Sequence, residues 1–414
     1  MGGVVSEDVL LARAYLSRVA EPSCIPVWDC VRRYGPVDAA RMINQGRGAD
    51  ELLAATAARR EHADPHADLD AAHRHGIRLV VPESDEWPHF AMAALERTGL
   101  ARATRFSAGE RIVAESGEPM PPLALWVKGV GQLACGGVRS VGIVGSRAAT
   151  AYGEHVTADL GFGCASRDVT VVSGGAYGID AAAHRSALAA GGQTVVVSAG
   201  GLDRPYPTGN AGLFTRAAET GLVISESPPG AAPQRHRFLT RNRLIAALST
   251  GTVVVEAARR SGAANTAAHC VTLGRPVMAV PGPVTSPMSA GCHDLLRRER
   301  SPALLVTCVD DVLAVVGAMG DGITPDPPEP GGPSGTGGDR VRAELDGLDP
   351  VARRVFDGLP VRRPAGPDEI AQRCGVSPLE VIRSLPVLDL AGLLDASDAG
   401  YRIPSRLRSR REKV

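Results

Sequence analysis

From residue 140 to residue 307 the chain repeats one pattern: a short apolar run rich in β-branched residues, then small and polar residues, then an alanine-rich stretch. The runs are VGIV (141–144), VTVVS (169–173), TVVVSA (194–199), LVISE (222–226), TVVVEA (252–257), PVMAV (276–280) and ALLVT (303–307). Runs with no polar alternation suit parallel strands buried on both faces. Helical stretches between them predict a doubly wound, mainly parallel α/β sheet of more than five strands. Upstream, IRLVV (77–81) and LALWVKG (123–129) read as two more strands, separated by a charged, less ordered insert around 97–118.

The two ends of the chain have a different period. Residues 1–75 show no strand pattern and read as a small helical domain, with helices in VLLARAYLSRV, VWDCVRRYG and ADELLAATAARREH. The sheet domain is expected over 76–320. Residues 321–340 hold proline, glycine and acids without periodicity, the composition of a flexible linker. A compact helical unit follows over 341–407, with helices in LDPVARRVFDGL, PDEIAQRCG and SPLEVIRSLPVLDLAGLL and a hairpin in LLDASDAGYRI. Ser377, Pro378 and Glu380 form a capping box with proline at the first helical position. Helix, helix, turn, helix, wing is the order of a winged helix. Its third helix offers Arg383 against Glu380 and Asp389 and is expected to break at Pro386, which favours a protein partner over duplex DNA.

Composition narrows the function classes. The 414 residues are 44% apolar and 22% charged, with a formal net charge of zero. Any attraction for a polyanion is therefore local, and residues 141–300 supply it, with fifteen arginines against ten acids. The eight cysteines include no Cys-x-x-Cys pair and no ligand-spaced histidine, which predicts a reduced cytoplasmic protein without a metal site. No leader and no run long enough to cross a membrane is evident.

The chemistry is expected beyond the carboxyl ends of the strands. There VGIVGSRAAT departs from the dinucleotide fingerprint, because Arg147 and Thr150 stand where Gly-x-Gly-x-x-Gly needs its second and third glycines. The strand tips deliver Gly145, Ser146 and Arg147, then Ser173 and Gly174, then Gly178 opening a helix with Asp180, and Asn210 after GLDRPYP. Small residues let backbone amides approach an anion, so phosphate is the expected guest, although such glycines also serve tight turns alone. The run QRHRFLTRNRLIAAL (234–248) adds Arg235, Arg237, Phe238, Arg241, Asn242 and Arg243, on a helix expected to begin near Leu239. It reads either as a solvated face or as a polyanion-binding one. No nucleotide triphosphate loop, zinc protease motif or nucleophile elbow is present. Asp180 and His184 could form an acid–base pair, although an aspartate there also serves helix amides, and Glu226 and Glu256 end strands as candidate general acids.

Taken in order, Asp85-x-Trp87-Pro88, PPLALWVKG, VGIVGSR, VSGGAYGIDAAAHRSAL, GLDRPYPTGN, LVISESPPG, FLTRNRLIAALSTGTVVVEAARRSG and VPGPVTSPMSAGCHDLL resemble the DNA-processing protein A family (DprA, also called Smf), over about residues 76–298. The resemblance implies an extended Rossmann-like core that binds single-stranded DNA and helps load RecA recombinase in transformation or recombination. It also implies a SAM-like N-terminal domain, a winged-helix C-terminal domain, a homodimer and no catalytic activity or cofactor. The implied DNA pocket contains Arg147, Arg241 and Arg243, shaped by Gly174, Gly178 and Asn210. The chain departs from the family pattern at Tyr177, where many members carry arginine, and at Thr208, where a basic residue is common. Tyr177 could stack on a base and Arg204 could replace the missing charge. The rival reading is a phosphoribohydrolase-type nucleotide hydrolase built on a similar fold. Its glycine-rich signature is mis-spaced here, in STGTVVVEA with Glu256.

Overall fold

The computed structural model describes residues 5–107, 119–133, 139–299, 302–317, 349–360, 363–390, 393–397 and 400–404. The linker expected over 321–340 and residues 108–118 lie outside that set. The chain divides into two units, residues 1–324 and 325–414.

Among the described residues, nine strands form the sheet of the first unit: β1 (Ile77–Val80), β2 (Leu125–Lys128), β3 (Ser140–Val144), β4 (Thr170–Ser173), β5 (Thr194–Val197), β6 (Leu222–Ser225), β7 (Gly251–Val254), β8 (Val277–Ala279) and β9 (Leu304–Leu305). Their order is β1-β2-β6-β5-β4-β3-β7-β8-β9. Pairing is parallel from β6 through to β9, while β2 runs antiparallel to both β1 and β6. All seven apolar runs of the sequence pattern are strands, and so are both upstream candidates.

The helices of this unit are α1 (Glu7–Val19), α2 (Ile25–Asn44), α3 (Asp50–Arg60), α4 (Pro65–Arg74), α5 (His89–Ser107), α6 (Ala151–Ala165), α7 (Ile179–Ala189), α8 (Ala211–Thr220), α9 (Arg235–Leu248), α10 (Gly262–Thr272), α11 (Ala290–Leu296) and α12 (Val309–Val316). Successive strand residues point to opposite faces, so each face acquires its own core. Val141 and Ile143 of β3 pack with Val253 of β7 under α6, α7 and α12. Val144, Val195, Val197 and Ile224 look the other way, against α5, α9, α10 and α11. Strands buried on both sides explain why the sequence showed continuous apolar runs.

The N-terminal helices have a core of their own, centred on Leu16, Val27, Ile43 and Leu52. They belong to the same compact unit as the sheet. Arg13 binds Glu83 and the Leu123 carbonyl, and Arg18 pairs with Asp68 and donates to the Pro229 carbonyl at 2.7 Å. Two expectations are corrected here. Residues 97–107, read as part of a loose insert, are the second half of α5. A fourth helix, α4, was not separated in the sequence pattern, although Asp64 caps it by accepting from Ala67 N at 3.0 Å and Pro65 opens it.

The second unit consists of α13 (Pro350–Gly358), α14 (Pro367–Cys374), α15 (Pro378–Leu390) and the antiparallel pair β10 (Asp395–Ser397) and β11 (Gly400–Arg402). Val355, Ile370, Val381, Leu388 and Ile403 form its core. The capping box is present: Ser377 N and Oγ donate to Glu380 Oε2, and Glu380 N donates back to Ser377 Oγ. Pro386 does not break α15. The carbonyl it leaves unbonded is four residues back, on the exposed Ile382, where water can replace the lost donor.

Candidate nucleic-acid interface

The strand order reverses between β3 and β7, whose direct pairing marks the crossing point of the two half-sheets. A cleft of about 950 Å³ opens beyond the carboxyl ends of these strands. This is where an open α/β sheet leaves room for a ligand, because the connecting loops turn away to opposite faces. One wall is the turn Gly145–Ser146–Arg147 after β3. The other is formed by α9 together with Arg260 and the first turn of α10.

Gly178 clasps the turn from behind. Its φ is +72°, and a Cβ there would collide with the Ser146 carbonyl. Ile179 N donates to that same carbonyl at 3.1 Å. Only glycine lets the loop after β4 lie this close to the GSR turn. Asn210 fixes the same loop from the other side, its Nδ2 donating to the carbonyls of Gly175 and Ala176 at 3.0 and 3.1 Å.

Four arginines line the cleft: Arg147, Arg235, Arg241 and Arg260. Arg147 is exposed and lies over the Phe238 ring, 5.3 Å from its centroid. Phe238 in turn packs against Tyr206 with centroids 5.7 Å apart. A guanidinium and two mutually tilted aromatic rings thus lie in a row along the rim. Arg235 and Arg260 are also exposed, and none of these three has a carboxylate partner among the described residues. Other arginines of the same unit, at 13, 18, 59, 78, 237, 243 and 259, are ion-paired.

Arg241 forms the floor. Its Nη1 donates to the carbonyls of Gly174 and Val197, joining the tips of β4 and β5, and its Nε donates to Asn242 Oδ1. A Cβ on Gly174 would sit within about 2.6 Å of that guanidinium, so glycine is required for the contact. Burial lowers the Arg241 pKa to about 10, against the favourable field of Asp180, so the group stays charged at neutral pH. Burial likewise raises the pKa of Asp180, while Arg241 and the Ala176 amide pull it back. Asn242 ties α9 to α10 through the Gly262 carbonyl and Asn265 Oδ1.

The sequence-predicted residues therefore separate into groups. Gly145, Ser146, Arg147, Phe238, Arg241 and Asn242 meet in the cleft. Gly174, Gly178 and Asn210 support its loops, and Ser173 is buried at the end of β4 with its hydroxyl on the Ile143 carbonyl at 2.6 Å. Tyr177 and Arg204 are exposed but outside the cleft lining. Two more of the expected residues lie outside the cleft lining. Arg243 is fully buried and binds Glu226 through two hydrogen bonds of 2.7 Å. Arg237 is buried against Glu21 and the Ala232 carbonyl. The physical reason is helix register: α9 begins at Arg235, four residues before the expected start, so positions 235, 238, 242 and 245 share the cleft face. Arg235, expected only as one member of the basic run, lines the cleft, and Arg260 was missed as a site residue; the available signal was an arginine just before a helix facing the same edge.

The hydrolase candidates are otherwise engaged. Glu256 is buried and accepts from Thr150 N at 2.9 Å and Thr150 Oγ1 at 2.6 Å, at the start of α6. Glu226 is held by Arg243. His184 bonds Thr194 Oγ1 at 2.7 Å through Nδ1, and burial lowers its pKa to about 3, leaving it neutral. Asp180 instead accepts from the Ala176 amide at 3.4 Å, so the two do not act as a pair. Among the described residues, no group of His, Cys, Asp and Glu is placed to hold a metal, and no helix is long and apolar enough to cross a membrane.

An arginine-lined cleft at the crossing point of a mainly parallel, Rossmann-like sheet places the protein in the class of open α/β folds with a basic site beyond the strand ends. The family model for DNA recombination-mediator protein A matches residues 111–317. The chain is 50% identical over 392 residues to a Mycobacterium tuberculosis protein named for DNA processing protein DprA, covering 95% of this chain and 94% of that one. It is 36% identical over 260 residues to the Escherichia coli protein Smf, covering 63% and 66%. The X-ray structure of DNA processing protein A from Streptococcus pneumoniae superposes with a TM-score of 0.58 at 27% identity, covering 76% of this chain and all of that one. The chain belongs to the DNA processing protein A (DprA/Smf) family.

Proposed function

We propose that the cleft binds single-stranded DNA, and that the protein, as a cytoplasmic homodimer, passes the bound strand to RecA recombinase. The observation that carries the DNA reading is the pairing pattern of the arginines. Arg147, Arg235 and Arg260 have no carboxylate partner among the described residues, and they surround one cleft whose floor is a fourth arginine. Unpaired guanidiniums gathered around a concavity favour a polyanion, since each phosphate bound releases counterions.

The preference for a single strand comes from the aromatic rim. Tyr206 is half exposed and Phe238 partly so, and a base can stack on such faces only when it is free of its complement. Few other aromatics line the cleft, so the reading implies little sequence preference. RecA delivery and dimerisation are what family membership suggests, and they are tested separately, by RecA filament assembly on the bound strand and by sedimentation.

A salt titration of oligonucleotide binding tests the central claim, comparing single with double strands for the wild type and Arg147→Ala. The expected slope of log K against log salt is about −0.7 per phosphate contacted on a single strand. Equal affinity for both forms of DNA, with no effect of Arg147→Ala, would sink it.

A further inference from the structure

On the far side of the first turn of α9 lies a second polar cavity, of about 200 Å³, which the cleft does not include. Its walls come from three elements: Arg18 of α1, Arg59 of α3 and Arg237 of α9, with Ser17, Ser227 and Gln234 between them. The carboxylates that neutralise these arginines stand behind the walls. Asp68 takes Arg18, while Glu21 alone serves Arg59, His236 Nε2 at 3.1 Å, and both ends of Arg237 at 2.6 and 2.9 Å. Burial disfavours ionisation of Glu21, yet hydrogen bonds from Arg237, Arg59 and His236 outweigh it and lower its pKa to about 2.

Three guanidiniums that line the cavity thus share two carboxylates, with the carbonyls of Pro229 and Ala232 as further acceptors. A buried or half-buried charge without full compensation is costly, so an anion that enters is stabilised. We propose that this cavity binds a phosphate group. Guanidinium forks match phosphate oxygens in pairs, and the hydroxyl and amide of Ser227 and Gln234 supply further donors. At about 30 Å³ per water molecule the cavity holds several waters, enough for a phosphate group with part of its hydration.

The source of the phosphate is set by what α9 joins. Arg235 faces the cleft, and Arg237, two residues on, faces the cavity. A strand leaving the cleft over the start of α9 brings a later phosphate to Arg237, Arg59 and Arg18, so the N-terminal helices become part of the DNA track. In that form the inference rests on the single-strand reading. The same chemistry would take orthophosphate or a free nucleotide.

The test uses the full chain with oligonucleotides of roughly five and roughly twenty nucleotides, the shorter confined to the cleft. The variants are Arg59→Gln and Gln234→Glu, the latter at an exposed position where loss of folding is no explanation. On the longer strand each is expected to reduce the salt slope by about 0.7, one phosphate contact, and to weaken binding several-fold, with the shorter strand unaffected. Arg147→Ala weakens both. A second arm measures thermal stabilisation by orthophosphate and by ATP. Stabilisation abolished by Arg59→Gln, with an unchanged oligonucleotide slope, assigns the site to free phosphates. If neither variant alters either readout while Arg147→Ala weakens DNA binding, the cavity is no phosphate site. If Arg147→Ala is also silent, the DNA reading fails by itself and the phosphate arm alone decides the cavity.

Discussion

Arg243 and Glu226 meet through two parallel hydrogen bonds of 2.7 Å, with the guanidinium fully buried. The pair holds α9 against the end of β6 and takes no part in the cleft. Removing one member leaves the other charge buried and uncompensated, which costs about 3–5 kcal/mol. Glu226→Gln is therefore expected to lower the melting temperature sharply. Below that temperature the salt slope of DNA binding should remain that of the wild type. A steeper slope would return Arg243 to the phosphate track.

Phe238 positions Arg147 and offers a stacking face of its own. Phe238→Ala is expected to weaken single-strand binding by about 1–3 kcal/mol, the range for loss of one aromatic–base stack. Because the ring is only partly buried, stability should change little. Anisotropy titration and thermal melts read the two effects separately.

Gly178→Ala tests the clasp behind the GSR turn. A side chain at φ +72° is strained, and its Cβ would meet the Ser146 carbonyl, so destabilisation should exceed about 1 kcal/mol. The displaced turn should also weaken DNA binding. Gly212→Ala, in α8 with open space at its Cβ, is the control and should leave DNA binding unchanged without loss of stability.

Acid should destabilise the first unit well above the carboxylate range. His184 and His269 are buried and neutral, with pKa values lowered by burial from 6.5 to about 3 and about 4. Between those values and 6.5 the unfolded state binds protons that the folded state refuses, so stability is full above 6.5 and falls as pH drops below it. Glu21 acts in the same direction below 4.5, and Asp180, with its raised pKa, acts against both. Melting temperatures from pH 7 to 4.5 should decline, and replacing both histidines by glutamine should flatten the decline.

The strands were legible because burial on both faces leaves continuous apolar runs that no polar residue interrupts. The second half of α5 was not, since Glu96, Arg97, Arg102 and Arg105 give that stretch the composition of a charged loop. In the site, the GSR turn and the loop after β4 could be placed from topology alone. The fate of each arginine could not. Arg237 finds its carboxylate 216 residues away and Arg243 finds one 17 residues away, and neither separation has a local signature. An arginine cluster reads as uniformly basic until the acids that claim its members are located in space.

Arg241 is held in place before any ligand arrives. Its Nη1 is bound to two carbonyls and its Nε to Asn242, while Nη2 has no hydrogen-bond partner among the described residues. The entropy of ordering a long side chain has already been lost on folding, so a phosphate reaching the floor meets a preorganised donor. The rim arginines have no such side-chain hydrogen bonds among the described residues. In the proposed complex a strand can therefore exchange contacts one at a time along the rim while the floor keeps its register, which combines firm holding with stepwise release.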